Sequence, residues 1–302
     1  MLNLSLKNRK TLRQSDKWSS FKVAVLIGLV IYAVCLFLPL LWALITAFKT
    51  QREFRLNIIG LPKNWTWNFS TIYNEFYVPV STKTGATEYV NVIQMFTYSM
   101  LYSVGCSFFG TLVPCVMAYL CARYKYKFSK VVYSVVIIVM ALPIVGSLPA
   151  EISMAMSLGI YDKIWGLWLM KAHFLGIYFL VFYNMFRAIP VAYTEAARID
   201  GAGNWTVMLR IIMPMAKNTF FTVMLINFIA FWNDYQTPLV YLPSYPTLAL
   251  GMYRMSYVTI NELSTVPMRM TAAIFMLIPM LMLFACFHKR LLGNLTVGGI
   301  KG

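Results

Sequence analysis

The sequence predicts an all-α membrane protein of six transmembrane helices with both termini in the cytoplasm. Three observations carry that expectation. The chain of 302 residues is 60% hydrophobic and only 12% charged, whereas soluble domains carry about a quarter charged residues. Apolar runs long enough to cross a bilayer, at about 20 residues each, recur at 22–47, 92–121, 131–157, 164–187, 218–242 and 268–288. The net charge of +16 is spread unevenly between the connections. Residues 1–22 hold Lys7, Arg9, Lys10, Arg13, Lys17 and Lys22; residues 122–130 hold Arg123, Lys125, Lys127 and Lys130; residues 187–217 hold Arg187, Arg198, Arg210 and Lys217; the tail holds Lys289, Arg290 and Lys301. These connections lie on one side of a six-span chain, and basic excess marks the cytoplasmic side. The charge therefore reports topology and gives no reason to expect a nucleic-acid partner.

Taken in order, residues 1–21 read as a basic cytoplasmic tail. The run 22–47 is the first span, too long for a cleaved secretory segment and read as an uncleaved anchor. Residues 48–91 form an extracytoplasmic segment with Pro62, Pro79, Trp65 and Trp67, aromatics suited to a membrane-interface belt or to a ligand. Residues 92–288 form a five-helix core, interrupted at Pro114 and Pro143 where neighbours or a cavity must satisfy the freed backbone groups. Residues 289–302 are a Gly-rich cytoplasmic tail. Cys35, Cys106, Cys115, Cys121 and Cys286 fall in or beside spans and form no C-x-x-C pair, so neither a metal centre nor a disulfide is expected.

The connection at 188–217 holds the most informative segment, TEAARIDGAGNWTVMLRIIMP from Thr194 to Pro214. Pro190 can open a helix, since its missing N–H needs no partner there. Val191, Ala192, Glu195, Ala196 and Ile199 share one helical face. Ala196 and Ala197 are small enough for close approach, and Glu195 can pair with a basic group. Gly201 suits a left-handed C-cap. Asn204 is placed to cap a second short helix running toward Met213 and Pro214.

This segment resembles the EAA loop of type I ABC-importer permeases, in which EAA, Gly, Ile and Leu-Pro recur at the spacing of Glu195-Ala196-Ala197, Gly201, Ile211 and Pro214; Met213 stands where Leu is usual. Further stretches resemble carbohydrate permeases of the maltose type, specifically the shorter subunit. They are LGIYDKIWGLWL (Leu158–Leu169), FRAIPVAYTEAARIDGA (Phe186–Ala202), FIAFWNDYQTPLVYL (Phe228–Leu242), PTLALGM (Pro246–Met252) and LTVGGIKG (Leu295–Gly302). Asp162-Lys163 replaces Asn-Thr, Asp234 replaces Glu, and Lys171 departs from a span normally uncharged there.

The resemblance implies the type I permease fold and alternating access in a bacterial or archaeal plasma membrane. It implies a second permease subunit, two ATPase subunits that bind ATP and Mg, and an extracytoplasmic solute-binding protein. ATPase coupling then falls to Glu195, Ala196, Ala197, Asp200, Gly201, Ile211 and Pro214, and the tail Gly298, Gly299 and Lys301 reaches the ATPases. No catalytic residue or cofactor is expected in this chain. Its one G-x-x-x-x-G, Gly105–Gly110, is followed by Thr111 rather than Lys and lacks the phosphate-binding lysine.

Asn227, Trp232, Asn233, Asp234 and Tyr235 place amides, a carboxylate and aromatic faces in the fifth span, the combination that sugars need. A structural cap at the outer interface is the competing reading of Trp232–Tyr235, and packing against a partner helix that of Asn227. Lys171 is left open between snorkelling and a pair with Glu151 or Asp234. A permease of this fold for a non-sugar solute, such as a glycerol-phosphate ester, is the alternative. A secondary transporter would need intramembrane acid/His relays, and Lys171, Glu151 and Asp234 are too scattered in sequence to suggest one.

Overall fold

The computed structural model describes residues 20–81, 85–124, 126–142, 146–257 and 262–295, with side chains through 286. It divides into two compact units: residues up to Asn68 with Val266–Thr271, and Phe69–Thr265 with Ala272 onward.

In the first unit, α1 (Ser20–Thr46) is apolar and exposed around almost its whole circumference, as expected of a helix solvated by lipid. It runs through Pro39 and ends in a tightly tied corner. Lys49 is fully buried, and its ammonium donates to the carbonyl of Asn57 at 2.7 Å. Asn68 Nδ2 donates to the carbonyls of Ala47 and Lys49, each at 2.8 Å. Thr50 caps α2 (Gln51–Leu56) by accepting from the Glu53 N–H. Trp65 and Trp67 flank Phe48 at centroid distances of 5.4 and 5.8 Å. The aromatics of this segment thus brace the corner, although both tryptophans stay largely exposed.

The second unit opens with α3 (Asn68–Glu75) and an antiparallel hairpin, β1 (Tyr77–Ser81) with β2 (Thr87–Asn91), in which Val78 faces Val90. The hairpin corrects the all-α expectation. Val78, Val80 and Val90 alternate inward, and Pro79 is tolerated because a two-stranded ribbon has only edge strands. Asn91 and Gln94 form a reciprocal capping box at the start of α4 (Val92–Arg123). This 32-residue helix passes through Pro114 unbroken, so Pro114 does not interrupt the second span. Pro143 lies outside the described residues.

The third, fourth and fifth expected spans are each divided. The third comprises α5 (Lys127–Ala141) and α6 (Leu148–Ser157); the fourth comprises α7 (Ile164–Lys171) and α8 (Ile177–Ala188). After α9 (Ala192–Ile199), α10 (Asn204–Trp232) is a continuous 29-residue helix, followed by α11 (Gln236–Tyr241). α12 (Leu248–Tyr257) and α13 (Val266–Leu295) are the last helices among the described residues. Among the described residues, four helices are long and apolar enough to cross a membrane: α1, α4, α10 and α13.

The central helix α4 packs against α7, α8 and α10, and glycines set how closely. A Cβ on Gly105 would collide with the indole of Trp168, which donates to the Leu101 carbonyl at 3.0 Å. At Gly110 a Cβ would lie 3.5 Å from the Lys171 carbonyl. The G-x-x-x-x-G is therefore a helix-packing stripe, the role small residues play between helices in lipid. Gly251 does the same for α12, where a Cβ would come 2.7 Å from the Met95 sulfur.

Candidate functional site: the α9–α10 loop and the α4–α10 interface

The α8–α10 connection is built on local backbone chemistry. The α9 helix starts two residues beyond Pro190, and the N–H groups of Thr194 and Glu195 both donate to the Val191 carbonyl. It ends in a Schellman motif. Gly201 adopts φ +81°, Gly201 N–H donates to the Arg198 carbonyl at 3.0 Å, and Ala202 N–H donates to the Ala197 carbonyl at 2.9 Å. Asp200 occupies the C-cap position.

The cap of α10 is Gly203, not Asn204. The Asn204 carboxamide instead accepts from the Arg198 guanidinium at 3.2 Å, clipping the two helices across the turn. From Val207 to Ile212 the helix widens to π geometry. The wider turn runs into Pro214, which has no N–H and whose ring would crowd the carbonyl four residues back.

One side of this loop is buried. Ala197 (7% exposed), Val207 and Ile212 pack with Tyr119 of α4, Val132 and Val136 of α5, and Phe182 and Phe186 of α8. Ile211 is half-buried. The other side is open: Glu195, Ala196, Asp200, Gly201 and Pro214 are exposed, together with Ile199 (86%) and Trp205 (74%). Of the two alanines expected at a partner surface, Ala196 points outward and Ala197 anchors the loop. Trp205 and Leu209 extend the exposed apolar face beyond the expected residues. Their spacing of four is a helical signal that sequence reading left unused.

The five residues expected along a substrate path separate into two groups. Trp232 is buried, donates to the Met276 carbonyl at 3.1 Å and stacks on Phe228 at 5.7 Å. Asp234 accepts from the Tyr102 hydroxyl at 2.8 Å and the Thr237 N–H at 3.0 Å, so its carboxylate opens α11 and ties it to α4. Asn233 donates back to the Ile229 carbonyl at the end of α10, and Tyr235 stacks on Tyr253 at 4.6 Å.

Asn227, by contrast, donates to Thr111 Oγ1 at 3.1 Å and lines a cavity of about 100 Å³ with Lys171 and His173. Lys171 and His173 also line a second cavity, of about 370 Å³, with Glu151 and Tyr241. There the Tyr241 hydroxyl donates to the Glu151 carboxylate at 3.1 Å. The break between α7 and α8 thus brings Lys171 and His173 against the α4–α10 interface. Their polarity within an apolar span was the available signal. Among the described residues no cluster of His, Cys, Asp and Glu could hold a metal. Gly298, Gly299 and Lys301 lie outside the described residues.

Residues 110–295 match the family described as binding-protein-dependent transport system inner membrane component. The chain is 23% identical over 276 residues to the diacetylchitobiose uptake system permease protein NgcG of Streptomyces coelicolor, covering 90% of this chain and 87% of that one. It is 24% identical over 293 residues to the melibiose/raffinose/stachyose import permease protein MelC of Bacillus subtilis, covering 96% of this chain and all of that one. Its fold is similar to a chain of a bacterial ABC transporter involved in the import of the acidic polysaccharide alginate. That match has a TM-score of 0.71 at 18% identity and covers 90% of this chain and 98% of that one. With more than half of its length inside the family match, and a helical core of type I permease architecture, this chain belongs to the binding-protein-dependent inner membrane components: it is a multi-pass plasma-membrane permease of an ABC importer rather than an enzyme.

Proposed function

We propose that this chain is one of two permease subunits of an ATP-driven importer for a carbohydrate, most naturally an oligosaccharide. Its relatives named for diacetylchitobiose and for melibiose, raffinose and stachyose support that cargo class. In this reading six crossings place both termini in the cytoplasm. The pieces α5 with α6, and α7 with α8, supply the third and fourth crossings as broken helices around a cavity. A second permease closes the path, a solute-binding protein delivers cargo from outside, and two ATPase subunits bind ATP and Mg.

The observation that carries the coupling role is the two-sided α9–α10 loop. Its inner face is locked into the ends of α4, α5 and α8, and its outer face presents Glu195, Ala196, Ile199 and Trp205. A partner that grips this face moves the ends of three core helices with it. Asp200, Gly201, Ile211 and Pro214 shape the loop, Ala197 anchors it, and Gly298, Gly299 and Lys301 make a second contact with the ATPases. Cargo passes Asn227 and the Lys171–His173 break, with Asn233 and Tyr235 nearer the outer end. Trp232 and Asp234 hold that end in shape.

The test is Glu195→Ala in the assembled transporter, reading co-purification of the ATPase and saccharide-stimulated ATP hydrolysis together. Loss of coupled hydrolysis with the permease pair intact is expected. Unchanged coupling and assembly would refute the docking role.

A further inference from the structure

At the same end of the unit as the α9–α10 loop lies a cavity of about 780 Å³ between the end of α4, the start of α5 and the end of α8. Lys127, Lys130 and Arg187 line it, and among the described residues no Asp or Glu does. Its aromatic wall is tyrosine: Tyr124 and Tyr126 stack at 5.9 Å with planes 5° apart, and Tyr133 meets Tyr183 at 4.9 Å. The Arg187 guanidinium sits 5.8 Å from the Tyr183 ring centroid. Three basic side chains thus line one recess, and none of its described lining residues is acidic.

The neighbouring face of α5 is apolar and open. Phe128, Val131, Val135 and Ile138 recur at helical spacing and are all exposed. A cationic, tyrosine-walled recess at a helix start, continuous with an exposed apolar strip along that helix, matches one ligand in both parts: a phosphate headgroup and its acyl chains. A free anion would use the recess but not the strip.

We propose that this recess binds the headgroup of an anionic phospholipid, with Lys127, Lys130 and Arg187 on the phosphate and the acyl chains along Phe128, Val131 and Val135. Basic pockets between transmembrane helices at the cytoplasmic surface take such headgroups. The cytoplasmic placement of this end rests on the orientation proposed above. Arg187 is three residues before Pro190, so an occupied recess would also steady the root of the α9–α10 loop.

The test uses the full transporter, this chain with its partner subunits, extracted in mild detergent and analysed by native mass spectrometry. It is incubated separately with phosphatidylglycerol, phosphatidylcholine and inorganic phosphate. The wild type should retain phosphatidylglycerol at least tenfold more than phosphatidylcholine. Lys127→Gln with Lys130→Gln should lower that retention by on the order of tenfold or more, at roughly fivefold per basic residue near the surface. Lys127→Arg with Lys130→Arg should keep it, and Lys63→Gln in the outer segment should leave it unchanged.

Arg187→Gln repeats the test from a different helix, should α5 variants fail to assemble. Equal retention of the two lipids, or Gln variants that bind as the wild type does, would overturn the proposal. Inorganic phosphate displacing phosphatidylglycerol completely at millimolar concentration would assign the recess to a free anion and overturn it too. Because the readout is lipid retention, a failed coupling role at Glu195 leaves this result independent.

Discussion

Replacing Gly201 tests the coupling role proposed for the α9–α10 loop at a position held in the left-handed region. Gly201 holds φ +81° between α9 and α10, and both hydrogen bonds of the Schellman motif depend on that conformation. A Cβ built there meets nothing within 4 Å, so no neighbouring side chain resists it. Within this chain the cost is therefore the backbone penalty, about 1–2 kcal/mol for an L-residue in the left-handed region. That corresponds to roughly a 5- to 30-fold loss in the population of the native turn.

The expected order of damage follows from the same source. Gly201→Asn is mildest, because Asn visits the left-handed region through local hydrogen bonds; Gly201→Ala is intermediate; Gly201→Val is worst. The assay is ATP-driven uptake by the reconstituted transporter, with ATPase co-purification measured in parallel. A Val variant that couples like the wild type, or an Asn variant as damaged as Val, would refute the argument; Gly201→Ala, whose single methyl meets nothing within this chain, separates the backbone cost from a collision of the larger Val with a docked partner.

Three further outcomes are expected. Gly105→Ala should lower the thermal stability of the detergent-extracted complex by an overpacking cost of about 1–3 kcal/mol, because the new methyl meets the Trp168 indole; combining it with Trp168→Phe should recover part of the loss. Asp234→Leu should destabilise α11 by about 1–3 kcal/mol for the orphaned Tyr102 hydroxyl alone, with Asp234→Leu/Tyr102→Phe less damaged than the single variant; normal melting with abolished uptake would instead give Asp234 a cargo role. Deleting residues 296–302 should reduce the coupled ATPase rate while leaving permease assembly intact, and an unchanged rate would show the tail to be dispensable.

The sequence alone determined what is local or compositional. The apolar runs set the membrane class: α1, α4 and α13 begin within two residues of the runs at 22, 92 and 268, whereas α10 begins at Asn204, well before the run at 218 and inside the α9–α10 loop. Gly201 was legible as a C-cap because a left-handed residue after a helix is a property of the backbone there. The tertiary structure decided the rest, for two physical reasons.

In the amphipathic helix α9, helical spacing already set Ala196 with Val191, Ala192, Glu195 and Ile199 and apart from Ala197, and that face is the exposed one; in spans that are apolar all round, periodicity does not separate a lipid face from a packed one, so nothing local marked Gly105 as the seat of Trp168. Polar residues in such spans are settled by partners far away in sequence. Asp234 meets Tyr102, Asn227 meets Thr111 and Glu151 meets Tyr241. Only the packing of α4 against α10 and the break between α7 and α8 decide which polar groups are consumed by the fold and which, like Lys171 and His173, are left facing a cavity.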